Sequence, residues 1–358
     1  MVNNYSLKLS GAYVELTTAC NASCPYCYND SGKSNVSLKS EYVYEIIDEL
    51  VSNKLFAIVF SGGEPFLHPE IYKLIKYAED KNVRPTIITN LMLLCNDDIK
   101  ALLNRKITLQ ITFDNIIEEK HDLIRSRGNY EKIMFLLNFA QIENLTDNLS
   151  VRINLSKSNY LQINDFINLL KGYNIKKATF SFLHKSGRGL TYNDVFDYKN
   201  DVMLLTKILN YLEEIKEKVS DTFTLTYGEL NKSFGCAFFA NEEIDCLPRI
   251  DPYGNVYMCQ IFTGDVNVLG NVKENSLSDV LCSEKCINII NNVRERKHNI
   301  KKCKNCPFED LCMGGCPAVA YNSTSSYDVV DSQCTMIRYT MKNILKANIV
   351  ECFEGLPK

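Results

Sequence analysis

The sequence predicts an α/β fold in which a partial (β/α)6 barrel of the TIM type is followed by a cysteine-rich C-terminal region. From about residue 9 to residue 190, strand-like and helix-like segments alternate, the pattern that builds parallel βα units. A charged helical stretch follows, and cysteines then crowd the last third of the chain. These changes divide the chain at 1–190, 191–230 and 231–358.

The barrel strands are read as the β-rich runs Gly11–Leu16, Phe56–Phe60, Arg84–Thr89, Thr108–Phe113, Ser150–Asn154 and Ala178–Phe182. Amphipathic helices fall between them at Lys39–Asn53, Glu70–Lys81, Asn96–Asn104, Tyr130–Gln141 and Leu161–Tyr173. Six strands fit a partial barrel. In such sheets ligands collect at the carboxyl ends of the strands, where Cys20–Cys27, Gly62–Pro65, Thr89-Asn90, Thr112–Asp114, Asn154 and Lys185–Gly189 all fall. Residues 191–228 place Leu204, Ile208, Leu212 and Ile215 at helical spacing, ordinary amphipathic packing for a bridge.

Composition fits a soluble enzyme, with 46% hydrophobic and 23% charged residues and a net charge of −3. No run of 18 apolar residues marks a bilayer span, and no basic stripe marks a nucleic-acid partner. No secretory leader opens the chain, so we expect the reducing cytoplasm. Disulfides are rare there, and 15 cysteines need another use. Metal ligation is the expected one.

The most informative stretch is Cys20-Asn21-Ala22-Ser23-Cys24-Pro25-Tyr26-Cys27. Three thiolates at this spacing can hold three irons of a four-iron cluster and leave the fourth open. Closed clusters take four cysteines, and an open position marks chemistry. After the strand-like Leu55–Phe60 comes Ser61-Gly62-Gly63-Glu64-Pro65. Two glycines let a ligand lie against bare backbone, and Glu64 adds an acceptor for a cation.

Together these motifs resemble the radical S-adenosylmethionine (radical SAM) superfamily. The resemblance implies that the free iron binds the amino and carboxylate groups of SAM, while Gly62, Gly63, Glu64 and Pro65 receive its ammonium, with Asn90 beside them. Thr112-Phe113-Asp114 resembles the Ser/Thr-x-Asp segment facing the SAM ribose and carboxylate, although Asp114 also reads as a helix cap. Arg152 resembles the basic residue that pairs with that carboxylate. The run His121-Asp122, Arg125 and Gly128 resembles a segment of peptide-modifying members. None of the four histidines has zinc-like spacing, and we read each as structural.

The C-terminal third carries Cys236, Cys246, Gly254-x4-Cys259, Cys303-x2-Cys306-x5-Cys312-x3-Cys316 and Cys334. This resembles the SPASM domain, a small α+β module with two auxiliary four-iron clusters. By the resemblance, Cys303, Cys306, Cys312 and Cys334 hold the distal cluster, while Cys316 joins Cys236, Cys246 and Cys259 around the nearer one. Two-cluster ferredoxins interleave their ligands in the same way. A zinc ribbon is the competing reading of closely paired cysteines. Cys95, Cys282, Cys286 and Cys352 receive no role.

The resemblance implies a radical SAM oxidoreductase with three [4Fe–4S] clusters, which cleaves SAM and uses the 5′-deoxyadenosyl radical to abstract hydrogen from an unactivated C–H bond. Auxiliary clusters offer an electron acceptor, so we expect a maturase that forms a thioether, carbon–carbon or carbon–oxygen crosslink in a ribosomally made precursor peptide. A flavodoxin- or ferredoxin-type reductant is implied. The catalytic base or hydrogen donor is not legible. Formylglycine formation by anaerobic sulfatase maturases is the first alternative, but Gln260 follows Cys259 where that family has its proposed Asp base. Tailoring of haem or another small molecule is the second. Only some ten residues precede the first strand, so either a separate protein recruits the leader peptide or the peptide docks directly.

Overall fold

The computed structural model describes residues 6–183, 185–227, 243–339 and 341–342. β1 (Ser6–Leu9) precedes β2 (Ala12–Thr17), whose six residues are all buried. Then α1 (Ser40–Ser52), β3 (Ala57–Gly62), α2 (Ile71–Asp80), β4 (Arg84–Ile88), α3 (Asn96–Leu103) and β5 (Thr108–Thr112) alternate. The short helix α4 (Glu118–Ile124) leads into α5 (Asn129–Ile142), β6 (Leu149–Leu155), α6 (Ile163–Gly172) and β7 (Lys177–Phe182). All six expected barrel strands form, each within two residues of its predicted bounds.

β2 to β7 pair in parallel in sequence order. Val14, Phe60, Ile87, Leu109, Val151 and Phe180 turn outward into the core beneath the helices. Side chains alternate across a strand, so Tyr13, Glu15, Ser61, Gln110, Thr112, Arg152 and Asn154 turn inward. The resulting interior is polar and the shell apolar.

The stretch after residue 190 is more than a helical bridge. α7 (Val202–Val219) is followed by β8 (Thr224–Tyr227), which extends the parallel sheet beyond β7. At the other edge β10 (Arg249–Ile250) runs parallel to β2, and β11 (Asn255–Tyr257) and β12 (Gly270–Asn271) continue antiparallel. One ten-stranded sheet, ordered β12-β11-β10-β2-β3-β4-β5-β6-β7-β8, thus runs from the barrel into the cysteine-rich region. β9 (Glu243–Cys246) pairs with β1 in a separate two-stranded sheet. Helices Leu277–Leu281, Glu284–Asn299, Glu309–Cys312 and Pro317–Thr324 complete the α+β C-terminal part. Among the described residues no helix is long and apolar enough to cross a membrane.

Candidate functional site

The Cys20–Cys27 loop leaves the carboxyl end of β2 and is clamped from two sides. From β3, Gly63 N–H donates to the Thr17 carbonyl at 2.7 Å and Glu64 N–H to the Ala19 carbonyl at 2.8 Å. A Cβ at Gly63 would stand 2.0 Å from the Ala19 oxygen, so glycine is required for this close approach. From the loop after β7, Arg188 Nε donates to the Cys24 carbonyl at 2.8 Å and Arg188 N–H to the Cys27 carbonyl at 3.0 Å. Burial pushes the Cys20 thiol up, and the nearby charges of Glu64, Cys24 and Cys27 push it further. The three thiols therefore lie within electrostatic reach of one another.

Glu64 is 1% exposed. It accepts hydrogen bonds from Thr89 Oγ1 and Asn90 N–H at 2.8 Å each, and from Phe66 N–H at 3.2 Å. Burial nevertheless raises its carboxyl to about 7. Thr89, Asn90, Thr112, Arg125 and Asn129 line one small cleft beside it. His121 organises the cleft's far wall. Its Nδ1 accepts from Asp114 N–H at 3.2 Å, which leaves Nε2 to donate to Asn129 Oδ1 at 2.8 Å. Burial lowers the imidazole's pKa, consistent with this neutral tautomer. Asn129 Nδ2 then donates to the Asn90 carbonyl at 2.6 Å.

Asp114 uses both carboxylate oxygens on protein donors. Tyr26 Oη and Arg125 Nε both donate to Oδ2, and Asn154 Nδ2 donates to Oδ1 at 3.2 Å. Arg125 Nη1 also lies 3.8 Å from Cys24 Sγ. Arg152 lies in register with Thr112 and Thr179, close enough to Tyr13 for their charges to interact. The cleft and the cysteine loop are thus joined through Arg125, which the motif spacing had associated with peptide-modifying proteins but not with a contact.

In the C-terminal part, Cys303, Cys306, Cys312 and Cys334 form one electrostatic group. The Cys303 thiol is raised by burial and by Cys334 and Cys306, and Cys312 is pushed up to about 11 by burial, Cys334 and Cys303. Cys246 is raised by burial, with Cys286 and Cys259 adding to it. Cys236 lies outside the described residues, as does Cys352. Every described cysteine is a free thiol. Among the described residues no group of three Cys, His, Asp or Glu side chains closes on a single metal ion.

Arg296 tests whether these thiols suit an anionic group. Its side chain is 0% exposed and donates to the carbonyls of Tyr327, Met313, Gly315 and Val329. A buried cation bonded to neutral carbonyls calls for compensating negative charge. Burial pulls the guanidinium's pKa down, and the charges that oppose this are, in order, Cys316, Asp331, Cys303 and Cys312. Thiolates deprotonated by a bound metal would supply the compensation, so the donor set fits iron–sulfur clusters.

The radical SAM superfamily description matches residues 14–170, and the iron–sulfur cluster-binding SPASM description matches residues 246–307. The chain is a radical SAM enzyme with a SPASM domain. Relatives of this radical SAM–SPASM protein include the mycofactocin maturase MftC of Mycobacterium ulcerans, 27% identical over 89% of this chain and 86% of that protein. The subtilosin biosynthesis protein AlbA of Bacillus subtilis is 25% identical over 90% of this chain and 70% of its own. Streptococcus suis SuiB, solved with its precursor peptide SuiA, superposes with a TM-score of 0.72 at 15% identity, covering 93% of this chain and 77% of SuiB. The SuiB likeness establishes the shared fold.

Proposed function

We propose that this enzyme oxidatively modifies a side chain of a ribosomally made precursor peptide, forming a thioether or a carbon–carbon or carbon–oxygen crosslink. The observation that carries the reading is the single sheet that joins the Cys20–Cys27 loop to a second, cysteine-rich region. A peptide at the barrel mouth has hydrogen-abstraction chemistry and an electron acceptor in one molecule. The similarity to maturases such as MftC and AlbA supports a peptide substrate.

In this reading Cys20, Cys24 and Cys27 hold the SAM-binding cluster. Cys303, Cys306, Cys312 and Cys334 hold the distal auxiliary cluster, and Cys236, Cys246, Cys259 and Cys316 the nearer one. When bound, these groups supply a 5′-deoxyadenosyl radical for hydrogen abstraction and an acceptor for the electron released as the substrate radical closes onto a second atom. Gly62, Gly63, Glu64, Pro65 and Asn90 receive the SAM ammonium. Thr112 and Arg125 lie in the same cleft and serve its carboxylate, with Arg152 one step deeper on the inner face. Asp114 orients Arg125. The division 1–190, 191–230 and 231–358, a flavodoxin- or ferredoxin-type reductant, a cytoplasmic setting and a separate leader-recognition protein belong to the same proposal.

The test separates SAM cleavage from product formation. Replacing Cys20, Cys24 and Cys27 with Ala abolishes 5′-deoxyadenosine under dithionite. Cys303→Ala or Cys334→Ala, in folded protein, leaves SAM cleavage and blocks the peptide product; unaltered product would sink the electron-acceptor role.

A further inference from the structure

A buried ion pair bridges the two halves of the sheet where no motif had drawn attention. Glu15 on β2 is 3% exposed and Arg249 on β10 is 5% exposed. Arg249 Nη1 lies 3.5 Å from each Glu15 carboxylate oxygen. On the cluster-loop side, Glu15 Oε1 accepts from Asn29 Nδ2 at 2.7 Å and from Tyr28 Oη at 3.3 Å, and these residues immediately follow Cys27. On the C-terminal side, Arg249 Nη2 donates to the Phe262 carbonyl at 2.9 Å and its guanidinium lies over the Tyr257 ring at 4.2 Å. Tyr257 and Phe262 flank Cys259.

We propose that Glu15 and Arg249 are positioning residues that set the reduction potential of the nearer auxiliary cluster. This rests on the reading of Cys259 as one of its ligands. A buried positive charge beside a cluster favours the reduced form, and a buried negative charge opposes it. Arg249 raises the potential of the group beside Cys259, and Glu15 moderates that effect. The pair also fixes the Cys20–Cys27 loop against the Cys259 loop, since each member bonds to the residues flanking one of them. The device is reached only through folding, because its two charges are 234 residues apart in sequence.

The test is an anaerobic redox titration, followed by electron paramagnetic resonance, of the full reconstituted chain without peptide. The nearer cluster's signal is the one missing from Cys259→Ser. Arg249→Met is expected to shift its midpoint to more negative potential, Glu15→Gln to more positive potential, and Arg249→Lys to leave it near the starting value. Opposite signs separate an electrostatic role from a scaffolding one. Shifts of the same sign, or none, would overturn the proposal. Should Arg249→Met fail to retain iron, Glu15→Gln in the Arg249→Lys background carries the same expectation of a positive shift. A parent protein with only about four irons, the content of a single four-iron cluster, would instead defeat the cluster assignment on which the proposal stands.

Discussion

Arg188, at the end of the barrel, donates through Nε to the Cys24 carbonyl at 2.8 Å across 164 residues of sequence. The same guanidinium reaches the Ser31 carbonyl at 2.8 Å and Asp30 at 3.1 Å. The last barrel loop thereby closes over the first. Arg188→Ala is expected to loosen the cysteine loop, reducing iron from about twelve to about eight per chain while the auxiliary clusters persist. Iron analysis with 5′-deoxyadenosine assays checks this; full iron with normal SAM cleavage would refute it.

Asp114→Ala leaves the Arg125 cation, whose side chain is 14% exposed, without its carboxylate. Removing one partner of a buried pair costs about 3–5 kcal/mol, so a marked fall in the apo-protein's unfolding midpoint is expected. Asp114→Asn, which keeps one oxygen to accept from Tyr26 and Arg125 while losing the acceptor for Asn154, should lose less. Equal losses in the two variants would show that the charge, rather than the hydrogen-bond acceptor, carries the stabilisation, and no loss in either would argue against the charge pairing.

The Glu64 carboxyl, raised from 4.5 to about 7 by burial, gives a pH signature with two opposite signs. SAM binding is expected to strengthen from pH 6 to 8, as the carboxylate forms to meet the ammonium. The folding contribution runs the other way. The native chain keeps a proton that the unfolded chain releases, so stability falls as pH rises from about 4.5 to about 7. Equilibrium dialysis of SAM and denaturant unfolding, each repeated with Glu64→Gln to remove both trends, check the pair of signs.

The peptide product is expected to weigh about two mass units less than its substrate per modification. One hydrogen leaves as an atom to the deoxyadenosyl radical, and the other leaves as a proton with an electron passed to an auxiliary cluster. Mass spectrometry after reaction in heavy water decides it. A unit gain from solvent deuterium at one α-carbon would point to hydrogen return and defeat the crosslinking reading.

The barrel was legible because its strands are apolar runs separated by amphipathic helices. β8 was not, since Thr224–Tyr227 is short and follows a strongly helical stretch. β10 is two residues long and gains its identity only by pairing with β2, whose strand signal lies far away in sequence. Cys20, Cys24, Cys27 and the Gly62–Pro65 turn stood out because their chemistry depends on local spacing. Arg125, Arg188, Arg249 and Arg296 were missed as contacts because each is defined by what it reaches. A basic residue in a helix or loop has no period or spacing that announces a carbonyl, a carboxylate or a sulfur on another element.

The pairing of β10 with β2 also bears on how the chain can be cut. With Arg249↔Tyr13 and Ile250↔Val14 in register, the C-terminal part covers the edge of the barrel's first strand. A fragment ending near residue 230 would bare the polar backbone of β2 alongside apolar Val14 and Leu16, a template for pairing with another copy. The auxiliary region therefore serves as a stopper on the sheet, and a truncated barrel prepared for simpler spectroscopy should aggregate before its cluster can be studied.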